Sequence, residues 1–259
     1  MNITTWADFS SSSSPVPLAV TIGVFDGVHR GHQKLVRTVL SKSPAMKSAV
    51  LTFSENPKKI LHPQTYKGGL FSLEQKIDTF GAMGIDACVL IDFSRNFGTL
   101  SGAEFLFSLA KAGVRFICIG PNFRCGHKMD TNAQSLAEIS GKLGMEAEIV
   151  EPVMYGGHPV SSSRIRNAVL EGRLGEAEQM LGRPYTVVAH FEPCGKRELA
   201  VAEMPGMVLP PEGLYKVFLD PDSGNQEALA RIREGRMFTG TPGVRGARRV
   251  AIIELVSQE

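Results

Sequence analysis

The sequence has few cysteines, and their spacing excludes two classes of protein. Its 259 residues include only Cys88, Cys118, Cys125 and Cys194, with no CxxC pair and no spacing typical of zinc ligands. Neither a zinc ribbon nor a disulfide framework is indicated, because both need cysteines at characteristic separations. A reducing compartment fits this pattern, and we expect a cytoplasmic protein.

Long apolar runs and a strong excess of one charge are also missing. No stretch approaches the roughly 18 apolar residues of a membrane span, and residues 1–20 lack the features of a signal peptide. The 28 Lys and Arg residues nearly balance 26 Asp and Glu residues, for a net charge of +2. A dedicated nucleic-acid-binding protein carries a stronger basic footprint. We therefore expect neither a membrane nor a nucleic-acid partner, and any bound anion must be held by local chemistry.

What the sequence does contain is an alternation of short apolar runs with helical segments. The strand-like runs are LAVTIGVF, SAVLTF, ACVLIDF, RFICIG and EAEIVEPV, and a segment of helical periodicity follows each one. Strands that alternate with helices form βαβ units around a parallel sheet. The predicted class is α/β, a Rossmann-like doubly wound parallel sheet. Ligands of such sheets bind beyond the carboxyl ends of the strands.

The pattern changes after residue 183. Four strand-like runs, YTVVAHF, ELAVAEM, GLYKVFLD and RVAIIELV, are separated by turns rich in proline and glycine, and QEALARIREG is predicted to be a helix. The residues from Pro205 to Pro211 and the stretch TGTPGVRGARR are predicted loops. The predicted domains are therefore residues 1–183, the α/β part, and residues 184–259, a small and mainly β module.

The most informative stretch is GVFDGVHRGH, at the end of the first apolar run. Gly27 and Gly31 allow a tight turn and a close backbone approach, and a helix that begins nearby attracts an anion. His29 and His32 are about one helical turn apart, so both imidazoles can face one phosphate. The alternatives are an accidental strand-to-helix turn or a metal site, although no third ligand accompanies the histidines. We interpret the stretch as a phosphate site.

A second candidate site is the sequence VSSSRIR, which opens a helix. One serine is enough to cap a helix, and two arginines on a solvated face need no function. Three serines together with Arg164 and Arg166 instead provide hydroxyls, backbone N–H groups and guanidinium forks that suit phosphate oxygens. Beside the histidine stretch, we interpret VSSSRIR as the second half of a triphosphate clamp.

Two further strand ends carry polar and aromatic residues. In GPNFRCG, Asn122 and Phe123 could recognise a flat ring by hydrogen bonding and stacking, or Phe123 could simply fill a gap in the core. Thr52 and the TFSENP stretch could supply a second wall of the pocket.

Taken together, these motifs resemble a known family. GVFDGVHRGH, TFSENP, DFSRNFGTLSGAEF, GPNFRCG and VSSSRIRNAVLEGRLGEAEQMLGRPY look like the adenylyltransferase module of bacterial bifunctional riboflavin kinase/FAD synthetases, from Leu18 to Tyr185. The HxGH signature marks a broad nucleotidyltransferase superfamily. Gly27 stands where pantetheine-phosphate and nicotinate-nucleotide adenylyltransferases usually have proline, and this favours the flavin branch.

The resemblance implies transfer of AMP from Mg-ATP to the phosphate of FMN, which gives FAD and pyrophosphate. The catalytic residues implied are His29, His32, Asn122 and Arg166. The implied ATP-binding residues are Gly23, Phe25, Asp26, Gly27, Gly31, Ser162, Ser163 and Arg164. The implied FMN-binding residues are Thr52, Pro57 and Phe123. Mg²⁺ is expected on the ATP phosphates, with no metal site built by the protein, and the oligomeric state stays open between a monomer and a weak homo-oligomer.

The sequence also departs from the family pattern. The family commonly has TFxPHP, whereas Glu55 and Asn56 stand here; Leu61 replaces an aromatic and Cys125 a phenylalanine. These positions lie on the presumed flavin side, so the ATP side is the better match. The kinase signatures GxxLGxPTAN and PT are missing after residue 183, and only Gly195–Glu198 begins like the first. We therefore expect a shortened riboflavin-kinase-like module without kinase activity. The alternatives are adenylylation of another phosphorylated small molecule, or a catalytically inactive flavin- or nucleotide-binding protein.

Overall fold

The computed structural model describes residues 1–93, 97–194, 199–204, 206–220 and 226–258. They form two compact units. The first comprises Met1–Tyr66 and Leu73–Met154, and the second comprises Lys67–Ser72 and Tyr155–Glu259. Each unit has its own set of strands, and both contain buried apolar residues.

The first unit is built around a parallel sheet with helices. In chain order its elements are β1 (Asn2–Thr5), α1 (Trp6–Ser11), β2 (Leu18–Ile22), α2 (Arg30–Leu40), β3 (Lys47–Phe53), α3 (Pro57–Leu61), α4 (Leu73–Ala82), β4 (Ala87–Ile91), α5 (Gly102–Lys111), β5 (Val114–Ile119), β6 (Arg124–Cys125), β7 (Thr131–Asn132), α6 (Ala133–Lys142) and β8 (Glu146–Ile149). The five strands and the accompanying helices predicted from Leu18 onward are confirmed. The N-terminal strand β1 and helix α1 were not predicted.

The sheet has the strand order β1-β4-β3-β2-β5-β8, and all its neighbouring strands are parallel. The chain runs from β2 through β3 to β4 on one side and then returns to place β5 on the other side of β2. The order therefore reverses between β2 and β5, and a doubly wound sheet binds its ligands beyond the strand ends at such a switch point. The predicted doubly wound class is confirmed.

Apolar residues on both faces explain why β2 lies at the centre of this sheet. All five residues of β2 are buried. Val20 and Ile22 belong to a core cluster that includes Phe105, Leu109 and Leu136 of the covering helices. A strand buried on both faces reads as a continuous apolar run, which is the pattern LAVTI shows. This rigid centre fixes the position of the segment that follows β2.

The second unit contains two helices and a barrel. Its elements are β9 (Met154–Tyr155), β10 (His158–Pro159), α7 (Ser162–Leu170), α8 (Leu174–Leu181), β11 (Tyr185–Cys194), β12 (Leu199–Glu203), β13 (Gly213–Leu219), β14 (Gln226–Arg233), β15 (Arg236–Thr239) and β16 (Gly246–Ser257). The last six strands close into a barrel in the order β11-β12-β15-β14-β13-β16, with β16 paired back to β11. The predicted small and mainly β module is confirmed, and its strands form this barrel.

The prediction of a helix for QEALARIREG is wrong, because residues 226–233 form strand β14. Ala228, Ala230 and Ile232 are buried, whereas Glu227 and Leu229 are exposed, so burial repeats every two residues. Pairing with β13 and β15 fixes this register. Alanine, glutamate, leucine and arginine favour helices, but tertiary pairing overrides that weak preference. Strand β15 and the first residues of β16 lie partly in the region predicted as loops.

The boundary predicted near residue 183 differs from the division into compact units, since α7 and α8 fall in the second unit. Compactness does not say which residues carry an activity. The assignment of residues 1–183 and 184–259 to two functional domains therefore stays a prediction. The kinase-like fragment Gly195–Glu198 lies outside the described residues.

Candidate functional site

The segment between β2 and α2 is a tight loop with unusual backbone angles. Phe25, Gly27 and Val28 have φ values of 52°, 81° and 34°. A Cβ atom on Gly23 would lie only 3.3 Å from the ring of Phe25, so glycine leaves room for that ring to fold back on the loop. The Phe25 ring is 1% exposed and meets Phe80 of α4 edge to face at 5.4 Å. Phe25 therefore anchors the loop by packing its buried ring against α4. Direct contact of Phe25 with ATP stays a prediction.

His29 is the N-cap of helix α2. Its Nδ1 atom accepts a hydrogen bond from the backbone N–H of His32 at 3.3 Å. A ring nitrogen that accepts a hydrogen bond carries no proton, so in the neutral ring the proton is on Nε2. His29 is 5% exposed, and the cap fixes both its tautomer and its orientation. The predicted pairing of the two histidines at a helix start is thus present in the structure.

The imidazole of His32 lies against that of His29. The ring centroids are 3.6 Å apart, and the Phe25 ring meets His32 edge to face at 5.1 Å. Burial lowers the pKa of His32 well below its ordinary value, and the electrostatic effects of the neighbouring His29 and Lys76 lower it further. Its Nδ1 atom is buried, with no hydrogen-bond partner in the part of the chain that the structure describes. His32 is therefore neutral at physiological pH.

A buried residue at the loop between β2 and α2 that the sequence analysis missed is Lys76 of α4. Its side chain is buried, and its Nζ atom donates to the carbonyl oxygen of Phe53 at 3.0 Å. It also lies 3.4 Å from the carbonyl oxygen of Val24 and 3.4 Å from Thr52 Oγ1. Burial lowers the pKa of Lys76, and the carboxylate of Asp26 opposes this effect. The available signal was a lysine four residues before Phe80, on the apolar face of the helix.

The end of β3 provides other predicted residues. Thr52 is fully buried, and its hydroxyl donates to the carbonyl oxygen of Val24 at 3.2 Å. Thr52 thus supports the loop of residues 23–29 between β2 and α2, named the histidine loop from here on. Its predicted contact with FMN stays a prediction. Pro57 is the first residue of α3, and Asn56 caps that helix by accepting from the N–H of Lys58. The departure at Asn56 therefore has a structural role.

The segment after β5 carries Asn122 and Phe123. Asn122 is exposed, whereas Phe123 is half-buried and packs against the core cluster. This packing agrees with the alternative in which Phe123 fills a gap in the core, and its contact with a flavin stays a prediction. Because β5 is the parallel neighbour of β2, the segments that follow these strands lie at the same edge of the sheet.

In the second unit, helix α7 begins as the serine motif predicts. Ser161 is the N-cap, and its Oγ accepts from the N–H of Arg164 at 3.3 Å. Ser162 and Ser163 then form the first turn of the helix. The cap accounts for one of the three serines, and a helix N-terminus with hydroxyl groups suits an anion.

Arg164 and Arg166 of α7 have different surroundings. The guanidinium of Arg164 donates to the carbonyl oxygens of His158, Pro159 and Tyr155 at 2.9, 2.9 and 3.2 Å. These bonds give Arg164 a supporting role next to Ser161, and its direct contact with ATP stays a prediction. The Nε atom of Arg166 donates to the carbonyl oxygen of Gly68 at 2.9 Å. That bond orients the half-buried Arg166 guanidinium.

Among the described residues, no group of three or more His, Cys, Asp and Glu side chains is arranged to hold a metal ion. None of the described helices combines the length and apolar character needed to cross a bilayer.

The chain is similar to known proteins in sequence and in structure. Residues 11–164 match the FAD synthetase family. The chain is 30% identical over 187 residues to a bifunctional riboflavin kinase/FMN adenylyltransferase of Buchnera aphidicola, which covers 69% of this chain and 60% of that protein. It is 28% identical over 222 residues to the protein of the same name from Pseudomonas fluorescens, which covers 82% of this chain and 71% of that protein. The chain thus spans three fifths of the length of the first relative.

A crystal structure from Streptococcus pneumoniae, titled a macrolide-efflux protein, has a similar fold. It aligns with a TM-score of 0.87 and 22% identity over 100% of this chain and 92% of that one. At this identity the likeness concerns the fold alone.

Proposed function

The chain belongs to the FAD synthetase family, and from that membership we propose that it is an FMN adenylyltransferase. In the proposed reaction a phosphate oxygen of FMN attacks the α-phosphorus of Mg-ATP. The bond from this phosphorus to the bridging oxygen of the β-phosphate breaks, and pyrophosphate leaves with that electron pair. Such a transfer depends on positioning and charge stabilisation and needs no covalent protein intermediate.

The observation that carries the proposal is the stacked pair of His29 and His32 at the start of α2. The cap assigns the proton of neutral His29 to Nε2, so this atom is a hydrogen-bond donor. Preorganised donors stabilise charge where it develops on phosphate oxygens. We assign the histidines to the α-phosphate and to the oxygen that leaves with pyrophosphate. Asp26, Gly27 and Gly31 belong to the same ATP-binding segment in this proposal.

For α7 we propose that Ser162, Ser163 and Arg166 bind the β- and γ-phosphates. The helix N-terminus and the hydroxyl groups favour an anion, and a guanidinium adds a planar pair of donors. Arg164 supports this segment through the three carbonyl oxygens that it holds. Asn122 is proposed to lie near the reacting phosphate, and Thr52, Pro57 and Phe123 on the FMN side. Mg²⁺ is proposed to enter with ATP, bound to its phosphate oxygens.

The closed barrel of the second unit is proposed to lack riboflavin kinase activity. Kinase chemistry needs a phosphate-binding loop and a base directed at the ribityl hydroxyl, and the sequence carries neither family signature. In this proposal the protein uses FMN made elsewhere in the cell.

Product analysis tests the proposed function. The protein is incubated with Mg-ATP and FMN, and the products are separated by chromatography while pyrophosphate release is followed in parallel. We expect FAD and pyrophosphate to appear in equal amounts. Parallel reactions contain 4′-phosphopantetheine or nicotinate mononucleotide in place of FMN. Adenylylation of one of these compounds without FAD formation would favour the alternative substrate class, and ATP binding without any product would favour a non-catalytic protein.

A further inference from the structure

Lys76 is a buried cation that neither the family signature nor the proposed roles account for. It lies on α4, 5% exposed, on the helix face that also buries Gln75 and Phe80. A lysine in such a place needs hydrogen-bond partners, because an unpaired ammonium is costly to bury. Its partners identify what it does in the fold.

The ammonium joins two strand ends. It reaches the carbonyl oxygen of Val24 in the loop after β2, and the carbonyl oxygen of Phe53 and Thr52 Oγ1 at the end of β3. Three acceptors match the three N–H groups of the protonated side chain, whereas a neutral amine has only two. Thr52 donates its own proton to Val24, so its oxygen is available to accept from Lys76. Lys76 is thus protonated and holds the histidine loop against β3.

The same charge acts on the histidine pair. The charged and titratable groups that influence His32 or Lys76 are His29 and Asp26 from the loop, Lys76 from α4 and Cys88 from β4. Burial is the main cause of the low pKa of His32, and the charge of Lys76 adds to it. The carboxylate of Asp26 favours the protonated form of Lys76. The lysine therefore keeps its own charge while it disfavours a second charge on the imidazole.

We propose that Lys76 is a positioning residue for adenylyl transfer: its ammonium fixes the histidine loop to the end of β3 and carries a positive charge that acts on the imidazole pair. The proposal rests on the FMN adenylyltransferase function proposed above. Lys76 acts through Val24 and His32 and touches no reacting atom. The charge of Lys76 disfavours protonation of His32, and its hydrogen bonds hold Val24 next to the end of β3.

Three variants separate the charge of Lys76 from its hydrogen bonds. Lys76→Met removes both, Lys76→Gln retains a hydrogen-bond donor without the charge, and Lys76→Arg retains the charge. Lys111→Met is the matched control, because Lys111 is an exposed lysine at the end of α5. All variants are made in the full chain, and circular dichroism and thermal unfolding show which of them fold.

The first measurement is an NMR titration of the histidine side chains, with the His32 resonance assigned from a His32→Asn variant. Removal of a nearby positive charge raises the pKa of an imidazole. We expect the His32 midpoint to move to higher pH in Lys76→Met and Lys76→Gln and to stay near the wild-type position in Lys76→Arg and Lys111→Met. Because no turnover is needed, this readout does not depend on the proposed function.

The second measurement is the pH profile of FAD formation. We expect Lys76→Met to lower kcat by roughly 10- to 100-fold, the scale for misplaced catalytic groups, with a smaller change in the KM for ATP. The acid limb of the profile should move to higher pH together with the His32 midpoint. Lys76→Arg should restore the limb even where it does not restore the full rate.

Equal His32 midpoints in the wild type, Lys76→Gln and Lys76→Met would overturn the proposal. A loss of rate in Lys76→Met with an unmoved acid limb would also overturn it, because a merely structural lysine would behave in that way. If Lys76→Met does not fold, the comparison of Lys76→Gln with Lys76→Arg gives the same decision. Failure of the wild type to form FAD would count against the proposed function alone, and the titration would still decide the role of Lys76.

Discussion

The imidazole rings of His29 and His32 lie 3.6 Å apart, centroid to centroid, with their planes inclined by 17°. Two imidazolium ions at this separation would repel each other, so the stack favours neutral rings. The cap on His29 and the burial of His32 act in the same direction. The arrangement therefore favours neutral rings at physiological pH, which in the proposed reaction donate hydrogen bonds to phosphate oxygens.

Replacing either histidine should impair FAD formation far more than folding. We expect His29→Ala and His32→Ala each to lower kcat by about 10²-fold or more, the scale for loss of one preorganised donor. Steady-state assays with FMN and Mg-ATP measure the effect. The control is His190→Ala, an exposed histidine in the barrel. Unchanged turnover in both variants would contradict the assignment of the site.

His32 should make the stability of the protein depend on pH in a defined window. Its pKa is lower in the folded protein than in the unfolded chain, so below pH 6.5 only the unfolded chain takes up this proton. The contribution of neutral His32 to the free energy of unfolding is fully present above pH 6.5. It is lost as the pH falls toward the pKa of His32 in the folded protein, and the free energy of unfolding then falls by up to about 1.4 kcal/mol per pH unit. Urea unfolding of the wild type and of His32→Asn between pH 5 and pH 8, roughly the range in which histidine titrates, measures the difference. The same pH dependence of the free energy of unfolding in the wild type and in His32→Asn would contradict this prediction.

Arg166→Ala should weaken ATP binding and leave FMN binding nearly unchanged. The guanidinium is assigned to the β- and γ-phosphates, which FMN does not carry. A hydrogen bond to a charged group contributes about 1.5–3 kcal/mol, which is a loss of roughly 10- to 100-fold in affinity. Calorimetry with each ligand decides the matter, and Arg233→Ala, on the exposed end of β14, is the control. Equal losses for both ligands would refute this division of the site.

The protein should form FAD from FMN but should not form FMN from riboflavin. The prediction follows from the missing kinase signatures. It does not follow from the shape of the barrel, which is closed. The protein is incubated with riboflavin and Mg-ATP, and the flavins are separated by chromatography, with an FMN reaction as the positive control. Time-dependent appearance of FMN or FAD from riboflavin would identify the barrel as a working kinase.

Gly126→Ala should destabilise the first unit much more than Gly144→Ala. Both glycines have positive φ values, 83° and 73°. A Cβ on Gly126 would lie 2.0 Å from Asp130 Oδ1 and 2.4 Å from the N atom of Gly102, whereas a Cβ on Gly144 would meet open space. We expect a loss of about 1 kcal/mol for Gly144→Ala and roughly 3 kcal/mol or more for Gly126→Ala. Denaturant unfolding of the two variants checks this order, and equal losses would contradict the close packing at Gly126.

The sequence was sufficient to predict the central sheet, because its strands are apolar on both faces and alternate with amphipathic helices. The sequence was also sufficient to predict where α2 starts, because glycines and histidines follow a buried strand there. Strand β14 was mispredicted because Ala228 and Ala230 suit a helix, and only pairing with β13 and β15 fixes their alternation. Edge strand β1 was missed because it is short and mostly exposed.

Site residues that act through tertiary contacts were harder to predict. Lys76 lies 24 residues from Thr52 in the sequence, and only folding brings the two together. Arg164 could be recognised as a basic residue near serines, but its three carbonyl partners depend on the β9–β10 hairpin. A sequence pattern shows which groups are available for chemistry. It does not show which of them the backbone already occupies.

Strand β16 closes the barrel of the second unit. β16 pairs with β11 on one side and with β13 on the other. Without the residues from Gly246 onward, both neighbours would present rows of unpaired N–H and C=O groups, which are templates for adding strands from other molecules. The final strand therefore protects the chain against self-association. A stop codon shortly before it would yield a product prone to aggregate even with the histidine loop intact.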